Sequence, residues 1–432
     1  MSIKEKVQDI FNKDIYKNVF ILFSGFSVAQ LIPLLATIAL TRIFTKEQFG
    51  IFFIYSSLCA ILSMVISLKL ELAIVLPPKN EGGKILFLTS LLTSFILSFI
   101  AFLIILFFFE PINSILGEKN IGILLYFLPL SLLFLGITQS CSYWFNRNSN
   151  FKSISITRIA KSSSSSVLQI GLGLISFLRY GLVFGLISGQ FVSAIYSLYI
   201  SFKNIAIEKK EISVIKISQL IKKYKSVPIF NTSIAVSNAI SNHMPIFLLT
   251  AFYSIEMTAL YGLANRIIAT PLSLVGQSVE QVLYNEASKR YNNGENLRNL
   301  VISSYKKLAK LAVIPFIILL IAAPFLFSFF FGVEWKLAGT FSQIMIPWLF
   351  LGFLNYPLSY IITVLNKQSD LLIYNIILLI FRFIALYVGY KYFNSIIYSI
   401  SLYALVGVVF NIFLLIYIIR ISNTQIKTET LL

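Results

Sequence analysis

The chain has 432 residues, of which 57% are hydrophobic and 12% charged, and its formal net charge at pH 7 is +18. A sequence this apolar cannot bury all of its hydrophobic side chains in a water-soluble core, so its composition excludes a soluble globular protein. One histidine and two cysteines, Cys59 and Cys141, leave no disulfide framework and too few ligands for a metal site. We therefore expect neither a metal nor another cofactor.

Apolar segments of about 20 residues recur along the chain, a length that carries an α-helix across a bilayer. Strands of a membrane barrel would show about 10 residues of alternating polarity, and no such period is found. We predict twelve spans, at residues 18–41, 50–68, 85–109, 121–145, 156–177, 181–202, 228–252, 257–284, 308–331, 339–365, 371–390 and 395–419. The expected fold class is an all-α polytopic membrane protein.

The two halves of the chain share a local pattern. Pro33 lies seventeen residues before Gly50, and Pro245 lies seventeen residues before Gly262; each glycine follows an aromatic residue. The two copies of this pattern are 212 residues apart. We predict two six-helix lobes, and because six is even, they are related by a pseudo-two-fold axis along the membrane normal. The predicted segments are a cytoplasmic amphipathic segment at 1–17, an N-lobe at 18–202, a basic cytoplasmic linker at 203–227, a C-lobe at 228–420 and a cytoplasmic tail at 421–432.

The cations are distributed unequally between the two sides of the membrane. With the N-terminus inside, 27 lysines and arginines fall on inner segments and six on outer loops, while Arg266 and Arg382 fall within spans. This is the positive-inside bias, and it predicts that both termini are cytoplasmic. The bias also explains the net charge without a nucleic-acid partner.

Polar side chains follow helical spacing in several spans, where they normally face the protein interior or a water-filled cavity. The seventh span carries Asn231, Asn238 and Asn242 on one face. The eighth and tenth spans carry longer stripes, which are Arg266, Thr270, Ser273, Gln277, Glu280 and Tyr284, and then Asn355, Ser359, Thr363 and Asn366. We predict that these faces line a cavity. The serine run at 162–166, within the fifth span, is predicted to serve helix packing, and a substrate contact is the alternative.

Two arginines lie deep in predicted spans, Arg266 in the eighth and Arg382 in the eleventh, where it shares a face with Asn375. A charge at mid-membrane costs about 2.5 to 3.5 kcal/mol, so an intramembrane arginine is a candidate functional residue. The planar fork of a guanidinium matches phosphate oxygens. We predict that both arginines bind an anion; the alternative is a structural charge bonded to helix carbonyls or to an acid.

No carboxylate is predicted at the depth of these arginines. Glu280 is about 21 Å further along the helix from Arg266, while Asp370 and Glu71 lie near the inner surface. His243, near the middle of the seventh span, could couple protons, since histidine titrates near neutral pH, although a neutral, hydrogen-bonded histidine is the alternative. Glu280 and His243 are the candidates for coupling. With no Walker loop and no catalytic constellation, we expect no enzymatic activity.

The chain resembles polysaccharide flippases of the multidrug/oligosaccharidyl-lipid/polysaccharide exporter superfamily, and the Wzx-type branch in particular. The resemblance covers essentially the whole chain and is carried by "LTRIFTKEQFGIFFIYSSL", "LKLELAIVLPPKNEGGK", "YWFNRNSNFKSISITRI" and "YGLANRIIATPLSLVGQSVEQVLYNEAS". It implies two six-helix lobes around a cationic cavity in the bacterial inner membrane. The implied substrate is a polyprenyl diphosphate carrying an O-antigen or capsule repeat unit, and Arg266 is the best match to a cavity cation. Lys46, where the family often has proline, departs from the pattern in a loop.

Together these features predict a lipid-linked oligosaccharide flippase that works by alternating access. The residues expected to contact its substrate are Arg266, Arg382, Thr270, Ser273, Gln277, Asn238, Asn242 and Asn375. Coupling to protons or sodium ions, and association with a polysaccharide polymerase and chain-length machinery, stay open. A drug/cation antiporter would favour acids over arginines, a membrane enzyme acting on lipid-linked glycans would need a large outer loop, and a scaffold would not need aligned polar stripes.

Overall fold

The computed structural model describes residues 3–115, 121–175, 179–203, 213–224, 226–365 and 367–423, and the side chains of most of them. All regular elements in these ranges are helical, which confirms the predicted fold class. The α-helices are α1 (Ile3–Ile43), α2 (Lys46–Leu62), α3 (Asn80–Phe107), α4 (Phe109–Ile115), α5 (Gly122–Leu125), α6 (Leu128–Arg147), α7 (Phe151–Leu174), α8 (Gly181–Lys203), α9 (Val214–Tyr224), α10 (Ser226–Phe252), α11 (Ile255–Asn292), α12 (Arg298–Phe331), α13 (Lys336–Asn355), α14 (Tyr360–Val364), α15 (Gln368–Phe393) and α16 (Ile396–Ile421). Short 3-10 helices occupy Leu70–Val75, Val333–Trp335 and Tyr356–Leu358.

Eight helical stretches among the described residues are long and apolar enough to cross a membrane. They are Ile21–Ile43, Asn80–Phe107, Gly122–Arg147, Gly181–Lys203, Arg298–Phe331, Val333–Ile362, Ser369–Phe393 and Ile396–Ile421. The other four predicted spans coincide with α2, α7, α10 and α11, which are helical but shorter or richer in polar residues. The chain is therefore a multi-pass membrane protein.

The chain divides into two compact units, Met1–Ala239 and Ile240–Leu432. The division falls inside α10 rather than in the linker predicted at 203–227. The described part of that linker, α9, belongs to the first unit because Leu220 and Tyr224 pack against its hydrophobic core. The remaining predicted segment boundaries stay predictions.

The repeated pattern corresponds to a similar local structure in each half. Pro33 lies inside α1 and Pro245 inside α10, and each of these helices is followed by a helix with a hydroxyl cap. The Thr45 hydroxyl accepts a hydrogen bond from a backbone amide in the first turn of α2, and the Ser254 hydroxyl does the same for α11. Such caps satisfy amides that a helix leaves unpaired at its start.

The first unit is held together by close packing of α7 against α1 and α8. A Cβ atom added at Gly189 would lie 2.6 Å from the carbonyl oxygen of Lys161 and 2.7 Å from the Cβ atom of Ser165. Ser166 is buried. The serine run of α7 therefore lets α8 approach closely, and the prediction that it serves helix packing is confirmed.

The second predicted span is interrupted. Helix α2 ends at Leu62, and Leu68 and Lys69 adopt left-handed backbone conformations with φ of 49° and 55° before the 3-10 helix begins. The carboxylate of Glu71 is 1% exposed, accepts a hydrogen bond from the Ser67 hydroxyl at 2.5 Å and lies 3.5 Å from the Lys69 ammonium. These contacts pair and hydrogen-bond a carboxylate that would be costly to bury alone.

The side chain of Arg147, at the end of α6, bonds to the backbone that follows this interruption. Its guanidinium donates to the carbonyl oxygens of Ile74 at 2.9 Å and Lys79 at 3.0 Å. A 3-10 segment leaves carbonyls without helical partners, and a planar fork with several donors can satisfy more than one of them. The contacts of Arg147 therefore fix the conformation of the "ELAIVLPPK" stretch, where the helical path is interrupted.

Candidate functional site

Helix α7 carries two cations one turn apart, Arg158 and Lys161. At 1.5 Å per residue they lie about 10 and 15 Å from the first residue of the helix. Helix α7 begins at Phe151, five residues before the predicted fifth span, so both cations lie in the helix and close to the predicted inner end of that span.

The two cations differ in their surroundings. The guanidinium carbon of Arg158 lies 3.5 Å from the centroid of the Phe26 ring on α1, and its side chain is exposed. Lys161 is half-buried near the Cys59 thiol. Within the described residues, neither cation forms an ion pair with a carboxylate. A ring that covers one face of a guanidinium leaves its N–H edge available for hydrogen bonds.

The polar stripe of α11 is partly buried. Arg266, Thr270 and Ser273 are each half-buried. Ala264 and Ile268 are buried and at 100° per residue point away from the stripe, but Ala259 and Leu263, on its own side, are buried as well. The stripe is therefore neither fully enclosed nor fully exposed.

The individual residues of this stripe differ in their contacts. Arg266 has an interaction partner in the structure. The Ser273 hydroxyl donates to the Thr270 carbonyl oxygen at 2.8 Å. Glu280 is half-buried. Gln277 lies within α11, but its side chain is outside the described set, and the roles of all five residues in binding or coupling stay predictions.

Helices α10 and α15 hold the other predicted contacts. Asn238 and Asn375 are half-buried, and Asn242 is exposed. His243 is half-buried and has an interaction partner, in agreement with the alternative of a hydrogen-bonded histidine. Substrate contact by the three asparagines stays a prediction.

Arg382 is enclosed within the second unit. Its side chain is 4% exposed, and its Nη1 donates to the Ser241 hydroxyl at 3.0 Å. The guanidinium carbon lies 5.0 Å from the ring centroids of both Trp348 and Tyr403. Two aromatic faces and a hydroxyl stabilise a charge here without an acid. These contacts favour the structural alternative, and the prediction that Arg382 binds substrate stays untested.

Asn355 does not line a cavity, and the prediction that placed it there is wrong. It is buried, accepts a hydrogen bond from the Tyr305 hydroxyl at 2.9 Å and donates to the Asn411 carbonyl oxygen at 2.8 Å. These bonds join α12, α13 and α16. The tenth predicted span is also interrupted after Asn355 by a 3-10 helix. Helical spacing alone could not distinguish this buried hydrogen-bond network from a helix face that contacts water.

The acid in the first turn of α15 is also engaged. Asp370 accepts a hydrogen bond from the Tyr417 hydroxyl. Within the described ranges, no group of three or more histidine, cysteine or acidic side chains is arranged to hold a metal ion.

A family model described as "Polysaccharide biosynthesis protein" matches residues 39–339. Among solved structures, the chain is similar to "Lipid II flippase MurJ, inward closed conformation", with 14% identity, 91% of this chain and 87% of that chain covered, and a TM-score of 0.68. It is also similar to an inward-facing multidrug resistance MATE family transporter of the MOP superfamily, with 12% identity, coverage of 94% and 96%, and a TM-score of 0.65. No curated protein compared with the chain matches it in sequence.

A third similar structure is a MOP superfamily transporter from Pyrococcus furiosus, with 14% identity, coverage of 95% and 96%, and a TM-score of 0.66. Its description reports a binding pocket of reversed polarity and suggests a different function. At these identities the likeness shows the fold alone. The chain therefore shares its fold with these three structures.

Proposed function

The chain belongs to the polysaccharide biosynthesis protein family, and from this membership we propose that it is a flippase for a polyprenyl-diphosphate-linked oligosaccharide. It moves an O-antigen or capsule repeat unit from the inner to the outer leaflet of the bacterial inner membrane by alternating access. Both of its termini are cytoplasmic in this proposal, as the positive-inside bias predicts.

The observation that carries the proposal is the cation pair on α7. Arg158 and Lys161 are like charges one turn apart, within a helix, and no carboxylate among the described residues pairs with them. Charges in a membrane helix are costly, and like charges at this spacing repel each other. A diphosphate would satisfy both, with two oxygens on the Arg158 fork and the Lys161 ammonium as a second cation.

Within the second unit, Arg266 is proposed as a ligand for an anionic group of the substrate. Its position on a helical stripe with Thr270 and Ser273 supports this role. Asn242, which is exposed on α10, is proposed as a sugar contact. Neutral polar side chains of this kind can donate to and accept from sugar hydroxyls.

The rival transporter function, drug/cation antiport, would need a membrane acid available to a cation. The buried acid of the first unit, Glu71, is already neutralised by Lys69 and Ser67. In the second unit, Asp370 is held by Tyr417. Glu71 and Asp370 are thus engaged, whereas Glu280 on α11 is half-buried and stays a candidate for coupling.

The decisive experiment uses the purified chain in proteoliposomes with three labelled substrates. These are a polyprenyl-diphosphate oligosaccharide, the same oligosaccharide on a polyprenyl monophosphate, and an organic cation. We expect the diphosphate-linked oligosaccharide to become accessible to a membrane-impermeant glycosidase fastest. Translocation of the organic cation without translocation of either lipid would contradict the proposal.

A further inference from the structure

A cavity of about 420 Å³ lies in the first unit, between the start of α3 and the amphipathic helix α9. We call it the basic cavity and define it by Pro77, Lys79, Lys216, Leu220, Lys223 and Tyr224. It is separate from the residues proposed to contact the substrate. Both of its walls belong to segments predicted to lie on the cytoplasmic side.

The rim of the basic cavity carries three lysines and one carboxylate. Lys216 forms an ion pair with Glu81 at 2.5 Å. Lys79 and Lys223 are exposed, and no ion pair with a described carboxylate involves either of them. The Lys223 ammonium lies 5.5 Å from the centroid of the Tyr224 ring. The cavity therefore has an excess of two positive charges at a rim open to solvent.

The floor of the basic cavity is apolar and well supported. Leu220 and Tyr224 line the cavity and also pack against the buried core around Phe87 and Trp144. On the opposite wall, Arg147 holds the carbonyl oxygen of Lys79 at 3.0 Å. Because both walls are fixed by contacts with the core, the cavity is formed before any ligand binds, which lowers the entropic cost of binding.

We propose that the basic cavity binds the headgroup of an anionic phospholipid from the cytoplasmic leaflet. The phosphate contacts Lys79 and Lys223, and the glycerol backbone and the first part of the acyl chains lie against the apolar floor. Basic pockets beside membrane helices on the cytoplasmic face are suited to anionic headgroups, and juxtamembrane lysines are attracted to anionic lipid. A free anion would use only the rim and would leave the apolar floor uncovered.

The test measures binding of phosphatidylglycerol and phosphatidylcholine to the purified full-length chain in detergent by native mass spectrometry. The chain should bind phosphatidylglycerol preferentially. Removing two lysines with Lys79→Gln and Lys223→Gln together should weaken this binding roughly 30-fold, because each lysine near an anionic surface contributes on the order of 1 kcal/mol. The matched control removes two exposed lysines of α12, with Lys306→Gln and Lys307→Gln, and should bind as the wild type does.

Two further measurements separate the alternatives. Gln219→Glu adds a carboxylate to an exposed position of the cavity lining and should also weaken phosphatidylglycerol binding, so the proposal stays testable if the lysine double variant does not fold. Inorganic phosphate and a polyprenyl diphosphate are offered as competitors, and neither should displace phosphatidylglycerol at equal concentration. The proposal is overturned if the lysine variant and Gln219→Glu retain wild-type lipid preference, or if either competitor displaces the lipid.

Discussion

At the scale of single residues, Arg382 and Arg158 are distinguished by the neighbours they contact. Arg382 is enclosed by Ser241, Trp348 and Tyr403, which stabilise its charge inside the second unit. Arg158 has an aromatic ring on one face and an exposed side chain. The first arrangement suits a structural role, and the second suits a ligand.

Substitution of Ser241 by alanine tests the structural role of Arg382. Ser241→Ala removes the hydroxyl that accepts from Arg382 Nη1 and leaves a buried donor without that partner, which costs about 1 to 3 kcal/mol. We expect a lower melting temperature in detergent. Ser237→Ala, at a half-buried serine one turn earlier on α10, is the control and should melt close to the wild type. Equal melting temperatures for the two variants would contradict this role.

For the cation pair on α7 we predict reduced transport without reduced stability. Arg158→Gln and Lys161→Gln should each reduce transport per folded molecule, because each removes a proposed phosphate contact. Neither should reduce the amount of folded protein, since no carboxylate among the described residues pairs with either cation. Lys152→Gln, at an exposed lysine in the first turn of α7, is the control. Wild-type transport by both variants would remove these residues from the site.

At the scale of helices, the first unit depends on the close approach of α7 and α8. Gly189→Ala would place a methyl group 2.6 Å from the Lys161 carbonyl oxygen, so one helix must move. Overpacking of this kind costs about 1 to 3 kcal/mol. We expect less folded protein by size-exclusion chromatography and a lower melting temperature.

The control for this prediction is another glycine of the same helix pair. Gly171 lies on α7, and nothing lies within 4 Å of a Cβ atom added there. Gly171→Ala should leave stability unchanged or raise it by roughly 0.5 to 1 kcal/mol, because alanine favours the helix. If Gly189→Ala behaved like Gly171→Ala, the two helices would not be in the close contact described here.

At the scale of the whole molecule, the distribution of cations predicts which ends of the helices face the cytoplasm. Lys223 on α9 lies in a predicted inner segment and Lys336 at the start of α13 in a predicted outer one, and both side chains are exposed. Lys223→Cys should resist an impermeant thiol reagent in intact cells and react in inverted vesicles. Lys336→Cys should show the reverse.

The natural cysteines favour this experiment, because Cys59 and Cys141 are both buried and give little background labelling. Labelling of Lys223→Cys from outside, with protection of Lys336→Cys, would invert the predicted topology. The result does not depend on the identity of the substrate.

The amino-acid sequence by itself determined that the chain is helical and crosses a membrane repeatedly, because hydropathy and chain length are local properties and a bilayer admits few backbone structures. The sequence stretches quoted above also indicated the family, and the family model that matches residues 39–339 shows that the chain belongs to it. Only the tertiary structure showed which polar side chains have their hydrogen-bond partners inside a unit. The Arg382 and Ser241 pair is separated by 141 residues and the Arg147 and Ile74 pair by 73, so no local period could reveal either contact. Helical spacing shows that residues share a face, but only packing shows what that face meets.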